Sequence, residues 1–433
     1  MGIRVAGVGN VRVFSQIPVT TEHSSLLEGP RKGIKPNPYH FPMLPLSRFR
    51  IISSRPPLRL SLGIVLSLLI PEPLMAETPP EEAEALWHYG AYLDVNYAPD
   101  LSTPRSVPFR DKLTTNRLNQ FSPDLGMIYL RKGTTTESPF GFEISGQAGY
   151  DTNDLLPSDQ PLPGANVLRY FSRANVSYQT DIGNGLKFTG GLMNSFIGYE
   201  SFYAKDNINY SRAWGSDYSP YFLIGIGANY PVNSQIDTGL FIVSDYNYLQ
   251  EVNTQPKYAT QFTYRINEHL KWMENAFVGP EQNNTAFQYW RGFLNSMVEW
   301  TEDDWTLAYV LDAGSQRAST GNHVQQLYVA NALYGRWNVS GPWTIGLRPE
   351  LYYDPNGLQT GNIQFITAIT STLEYNYQEA GFNNRLRLEY RYDKSTGTQG
   401  GFYGPEGVSG PLVPGQSVIF LVLMMSYDAQ FQP

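Results

Sequence analysis

Residues 417–433 read SVIFLVLMMSYDAQFQP, with an unbroken apolar run over 418–425 in a chain that is otherwise polar on average. The run alone fits a buried strand, a short membrane helix or a strand facing lipid. Alternation chooses among them. Ile419, Leu421, Leu423, Met425, Tyr427, Ala429 and Phe431 share one face of a strand, and that face suits lipid. The other face starts with Val418, Phe420, Val422 and Met424, and an apolar start there suits packing against a loop inserted from elsewhere. An aromatic residue near the tip resembles the signal by which outer-membrane assembly machinery recognises its clients, although Gln432 and Pro433 follow the final Phe.

The same period recurs upstream. In RLRLEYRYD (385–393), Leu386, Leu388, Tyr390 and Tyr392 alternate with Arg385, Arg387, Glu389, Arg391 and Asp393. In VLRYFSRANVSYQ (167–179), Leu168, Tyr170, Ala174, Val176 and Tyr178 oppose Arg169, Arg173, Asn175 and Gln179. In SQIDTGLFIVSDYNY (234–248), Ile236, Leu240, Ile242, Tyr246 and Tyr248 oppose Gln235, Asp237, Asp245 and Asn247. A helix would scatter these residues; a strand sorts them. Short connections (TDIGNG, PVNS, TEDD, VSGP) alternate with long ones (199–217 and 393–415 among them), as in outer-membrane barrels with periplasmic turns and extracellular loops.

The fold expected is therefore all-β: a transmembrane antiparallel β-barrel of about 16 strands (14–18 fit) over 88–433, each long enough to cross a bilayer when tilted. The pattern is least clean in HLKWMENAFVGP, where Glu274 falls in register with Trp272, and in QQLYVANALYGRW. Trp300 and Trp305 bracket one short turn, and Trp337 and Trp343 the next, as an interfacial girdle requires. Tyr97, Tyr246, Tyr353 and Tyr392 would form the girdle at the other end.

Composition agrees. The chain has 433 residues, net charge −8, 30 Tyr, 22 Phe, 39 Gly and no cysteine, which excludes disulfides and thiol catalysis and argues against a nucleic-acid partner. Arg48, Arg50, Arg55 and Arg59 precede an apolar stretch over 60–70 and then Leu74-Met75-Ala76, the pattern of a cleaved secretory signal. The expected organisation is 1–42 untranslated, with initiation at Met43; 43–76 signal peptide; 77–87 periplasmic segment; then the barrel.

Catalytic constellations are lacking. His88, His269 and His323 form no ligand-spaced pair, and no Ser elbow or phosphate-binding loop is present. Gly225-Ile226-Gly227 lacks a following helix pattern. YDTNDLLPSDQP (Asp151, Asn153, Asp154, Asp159) offers oxygen ligands but misses the glycine and terminal Glu of a calcium loop. No enzyme activity, cofactor or metal is expected.

Gly198-Tyr199-Glu200, then Asn207-Ile208-Asn209-Tyr210-Ser211-Arg212, then an aromatic strand ending in NYPV, resemble the OmpL-like β-barrel porin family. GAYLDVNYA from Gly90 and ENAFVGPEQ from Glu274 extend the resemblance to nearly the whole mature chain. It implies a porin-like barrel without an established substrate.

A barrel of this size leaves room for an aqueous channel. General diffusion of small hydrophilic solutes is the leading expectation; an anion- or oligosaccharide-selective channel and a non-conducting structural or adhesin barrel are the rivals. Alternation points Arg169, Arg173, Arg348, Arg385, Arg387 and Arg391 inward as a pore-lining basic wall, which pairs such as Arg387 with Glu350 could neutralise. Tyr92, Phe171, Tyr221 and Tyr352 are candidate lumen aromatics. The 199–217 stretch is the candidate constriction loop, with Glu200, Asp206 and Arg212 as its polar contributors. The partners expected are the lipid bilayer and lipopolysaccharide, the assembly machinery, small solutes and, by analogy with porins of this size, two further copies in a homotrimer.

Overall fold

The structure is a computed structural model that describes residues 87–155, 165–244, 249, 251, 253, 255–282, 285–321 and 323–431. Residues 1–76, all of the expected periplasmic segment (77–87) except Trp87, which opens the first strand, and Asp159, Asp245 and Tyr246 lie outside these residues. Sixteen antiparallel strands close into one barrel: β1 (Trp87–Tyr97), β2 (Phe121–Lys132), β3 (Phe140–Ala148), β4 (Phe171–Gln179), β5 (Lys187–Asn194), β6 (Phe222–Pro231), β7 (Ile236–Val243), β8 (Lys257–Arg265), β9 (Leu270–Pro280), β10 (Trp290–Glu302), β11 (Trp305–Arg317), β12 (Gln325–Ser340), β13 (Trp343–Asp354), β14 (Gln364–Glu379), β15 (Phe382–Thr396) and β16 (Gly415–Phe431). Each pairs with its chain neighbours, and β16 closes on β1 from Trp87 opposite Phe431 to Tyr97 opposite Leu421. Closure leaves no strand edge unpaired, the condition for a sheet to sit in hydrocarbon.

The sorting of side chains is cleanest on β13. Thr344, Gly346, Arg348, Glu350, Tyr352 and Asp354 face inward and buried; Trp343, Ile345, Leu347, Pro349, Leu351 and Tyr353 face outward and exposed. β16 follows suit, with Leu421, Leu423 and Met425 outward and Phe420, Val422 and Met424 inward. The two unclean segments resolve. On β12, Tyr328, Ala330, Ala332 and Tyr334 are inward and buried; Leu327, Leu333 and Trp337 are outward and exposed. On β9, Glu274 shares Trp272's outer face and accepts a hydrogen bond from its indole N–H (3.1 Å).

Connections at one end are brief: 232–235, 266–269, 303–304, 341–342 and 380–381. Those at the other end include 98–120, 149–170, 195–221 and 397–414. Aromatics mark both rims. Trp305 and Trp337 stack at 5.2 Å beside the short turns, and Trp343 meets Tyr375 at 4.8 Å. At the long-loop rim Tyr97 meets Phe121 (5.0 Å) and Tyr353 meets Phe365 (6.1 Å), with Tyr392 also outward.

Strand β4 departs from its sequence pattern. It begins at Phe171, so Arg169 lies in a 3-10 turn (Ala165–Tyr170) and not on a strand. A register shift opposite Ser145 and Gly146 pairs Phe171 with Gly146 and Arg173 with Ser145. The extra residue, Ser172, reverses the phase, which puts Phe171 on the outer face while Arg173 stays inward.

Candidate functional site: a segment that crosses the lumen

The 195–221 connection does not arch over the rim; it runs through the barrel. It leaves β5, and its Phe196 ring stacks on Phe241 of β7 at 4.2 Å. Further along, Gly198 N–H donates to Asn295 of β10 (3.0 Å) and Tyr199 packs on Tyr334 of β12 (4.7 Å). Asn209 then reaches Thr372 of β14 (2.8 Å), and the Tyr210 hydroxyl reaches Asp124 of β2 (2.9 Å). The Tyr210 ring lies 5.9 Å from Phe420 of β16, which accounts for the apolar inward start of that strand. A short helix, α2 (Trp214–Asp217), returns the chain toward β6. Gly215 lets it approach closely, since a Cβ there would stand 2.6 Å from Asp312 and 2.9 Å from Ala330.

An irregular backbone inside a barrel needs partners for its N–H and C=O groups. The wall supplies them with charged side chains. Glu389 accepts from Tyr210 N–H (2.6 Å), Ser211 N–H (2.9 Å) and the Ser211 hydroxyl (2.5 Å). Glu350 accepts from Trp214 N–H (2.6 Å), and Glu200, within the segment, from Ala213 N–H (2.6 Å). The guanidiniums take the carbonyls: Arg348 donates to Ser211 O (2.7 Å), Arg391 to Arg212 O (2.8 Å), and Arg387 to Ala204 O (3.0 Å) and Asn207 O (2.7 Å). Lys112, from the 98–120 connection, adds a bond to Arg212 O (2.8 Å).

The arginines therefore do not form an uncompensated basic wall. Arg348 pairs with Glu200 (2.7 Å) and Glu350 (3.3 Å); Arg391 pairs with Glu350 (3.1 Å) and Asp393 (2.9 Å). Arg387 pairs with Glu374 across β14, and not with Glu350 as its position in the sequence suggested. Arg385 donates to Lys205 O, and Arg173 pairs with Glu143. Arg169 points into the neighbouring loop, donating to Asn153 O (2.9 Å) and Asn166 (2.5 Å).

The three candidate loop residues part ways. Glu200 and Arg212 are buried anchors. Asp206 alone keeps substantial water contact, beside Lys205 at 2.7 Å. The start of the candidate calcium loop is a short helix, α1 (Tyr150–Asp154), whose Asp151 accepts Thr115 N–H (2.7 Å) and whose Asp154 pairs with Arg117 (2.9 Å). Among the described residues no group of three His, Cys, Asp or Glu is placed to hold a metal.

Sequence reasoning missed Glu389, Asp393, Lys112 and Asp124 as anchors. For Glu389 and Asp393 the signal was the alternation of acids with arginines on β15, which reads equally as a wet charged wall; Lys112 and Asp124, in the 98–120 connection and on β2, carried no such signal.

A family profile described as "Putative beta-barrel porin-2, OmpL-like" matches residues 87–425. No curated protein matches the sequence. Solved structures with a similar fold include an anion-selective porin from Comamonas acidovorans (12% identity, 79% of this chain and 100% of that one, TM-score 0.49). Outer-membrane-expressed OmpT of Vibrio cholerae (9% identity, 80% and 99%, TM-score 0.49) is another. A third is Salmonella typhi OmpF in complex with daunomycin (9% identity, 78% and 96%, TM-score 0.49).

Proposed function

The chain belongs to the OmpL-like β-barrel porin family of the outer membrane, and from that premise we propose that it is a channel for passive diffusion of small hydrophilic solutes, constricted by residues 195–221. One observation carries the reading. Inward polar residues nearest the short turns, among them Asp237, Thr263, Arg265 and Lys271 of β7–β9 and Gln378, Asn383 and Arg385 of β14–β15, keep water contact, while Arg348, Glu350, Arg387, Glu389 and Arg391, further along β13 and β15, are covered by the crossing segment. A segment that crosses the lumen at one level, with wet polar residues toward the short turns, is how a barrel sets a size limit.

Ion preference follows from charges that remain wet. Arg265 with Asp237 (2.6 Å), Lys271 with Glu299 (2.6 Å) and Lys205 with Asp206 (2.7 Å) are matched pairs, which favours weak selectivity. Arg385 is the cation best placed to tilt it toward anions. The same reading surrounds the barrel with bilayer and lipopolysaccharide, removes residues 43–76 on export, hands β16 to the assembly machinery and includes a homotrimer, to be tested by cross-linking in membranes.

A second reading, a plugged structural barrel, is favoured by the density of anchors on the crossing segment. Single-channel conductance of the refolded mature chain in a planar bilayer, with reversal potential under a salt gradient, separates the two. A stable conductance whose weak anion preference falls with Arg385→Ala supports the channel. Silence from a verified, folded barrel supports the plug.

A further inference from the structure

One cluster of buried charge in the barrel does not balance. Where the crossing segment meets β1, β2 and α1, Asp94, Asp124 and Asp151 converge on one cation, Arg212, and none of the four is more than 1% exposed. Arg212 spends donors on carbonyls of its own segment, Tyr210 O (2.9 Å) and Phe202 O, and comes only within 4.0 Å of Asp151. Its Nε and the Asp151 Oδ2 have no hydrogen-bond partner.

The remaining neighbours are neutral donors. From β1, the Tyr92 hydroxyl donates to Asp94 (2.6 Å); from β2, Leu125 N–H does too (2.9 Å). Asp124 accepts from Ser122, from Asn96 (2.6 Å) and from the Tyr210 hydroxyl (2.9 Å). Tyr221, at the end of the segment, also faces Arg212. The nearby cation Lys112 is held by Asp217 (2.5 Å), and Glu389 of β15 caps the Tyr210 backbone. Arg387, which also faces the Tyr92 hydroxyl, is paired with Glu374, and among the described residues no second cation pairs with the three carboxylates.

A dry site with one guanidinium tolerates about one ionised carboxylate; further ionisation leaves an uncompensated buried charge. We propose that this cluster is a proton-controlled latch: protons held among Asp94, Asp124 and Asp151 keep the crossing segment in the lumen, and their loss at alkaline pH hydrates the cluster and releases the segment. Burial and the neighbouring Asp124 push the Asp151 carboxyl well above the usual range, in keeping with a proton retained there at neutral pH. The latch rests on the channel reading above only for its consequence, that conductance rises with pH.

The chain has no native cysteine, so one introduced thiol reports on the segment alone. Ala204→Cys places a buried thiol on the segment itself, and Thr136→Cys, in an exposed turn, corrects for the thiol's own titration. In the refolded full barrel, the ratio of their maleimide labelling rates should rise at least about tenfold from pH 6 to pH 9, a proton-linked step changing an equilibrium by up to tenfold per pH unit. Adding Asp124→Asn and Asp151→Asn, which fix the neutral form, should hold the ratio low throughout. A flat ratio in the otherwise wild-type barrel overturns the latch without recourse to the variants, as does an undiminished rise with both Asn residues in place. Conductance recorded in parallel keeps the two readings apart. Current with flat labelling sinks the latch alone, whereas pH-dependent labelling without current at any pH supports the latch and sinks the channel.

Discussion

The short-turn end of β8 and the middle of β13 obey one rule and occupy two environments. On both, every second side chain faces the lumen. On β13 the inward charges Arg348 and Glu350 are sealed under the crossing segment, each engaged by several partners. On β8 the inward Arg265 keeps half its side-chain surface in water and meets only Asp237. Alternation tells which face a residue takes. What covers that face is decided by a segment more than a hundred residues away, and the cover determines whether a charge is an anchor or a wet lining.

Paired substitutions test that contrast directly. Arg348→Ala leaves Glu200 and Glu350 short of a buried partner and should cost about 3–5 kcal/mol of stability. Arg265→Ala, which breaks an exposed pair, should cost no more than about 1 kcal/mol. Urea titration of the barrel in lipid vesicles measures both, and equal losses would mean that the two walls are equally wet.

The last strand carries the same contrast between adjacent residues. Phe420→Ala opens a cavity against Tyr210 and should cost about 3–5 kcal/mol. At Leu421 lipid refills the space, so Leu421→Ala should lose only the transfer share, about 2 kcal/mol. Reversal of that order would place water, and not the crossing segment, behind Phe420.

Much of this was legible in the sequence. The barrel, its strand number, both aromatic rims and the inward direction of Arg348, Arg385, Arg387 and Arg391 all follow from a period of two and the connection lengths. The pairing was not. Arg387 meets Glu374 because β14 and β15 set those residues opposite each other, and register between strands leaves no trace within either one. Nor does periodicity announce a bulge, so the extra Ser172 carried Phe171 to the outer face. The interleaved acids were ambiguous because a carboxylate that caps a backbone N–H and one that lines water are the same letter.

Smaller effects sharpen the picture. Glu389→Gln keeps an acceptor for only one of Tyr210 and Ser211, turns an NH2 toward the other and removes the charge, a loss of about 1–3 kcal/mol. Raised noise or conductance in single-channel records should accompany it as the segment loosens. The smallest effect concerns Asp100, in the connection after β1. Burial raises its carboxyl to about 6. The folded state then holds a proton that the unfolded chain gives up from about pH 4, so this residue's contribution to stability falls as pH rises from about 4 to 6 and is level above. Asp100→Asn should flatten that portion of the stability–pH curve; an unchanged slope would assign it to other groups.

The crossing segment leaves the chain between β5 and β6, yet most of its anchors belong to β13–β16 and to β1 and β2 beside the closing seam. In order of synthesis, the segment precedes its socket. Until β16 zips onto β1, the segment's N–H and C=O groups have nothing to replace water, and the barrel has two open edges. Closing the wall and filling the lumen are thus one event, delayed to the end of folding by the long loop that must be gathered first. A chain that stalls before its final strand fails at both tasks together, and its exposed edges and unfilled interior mark it at once as unfinished.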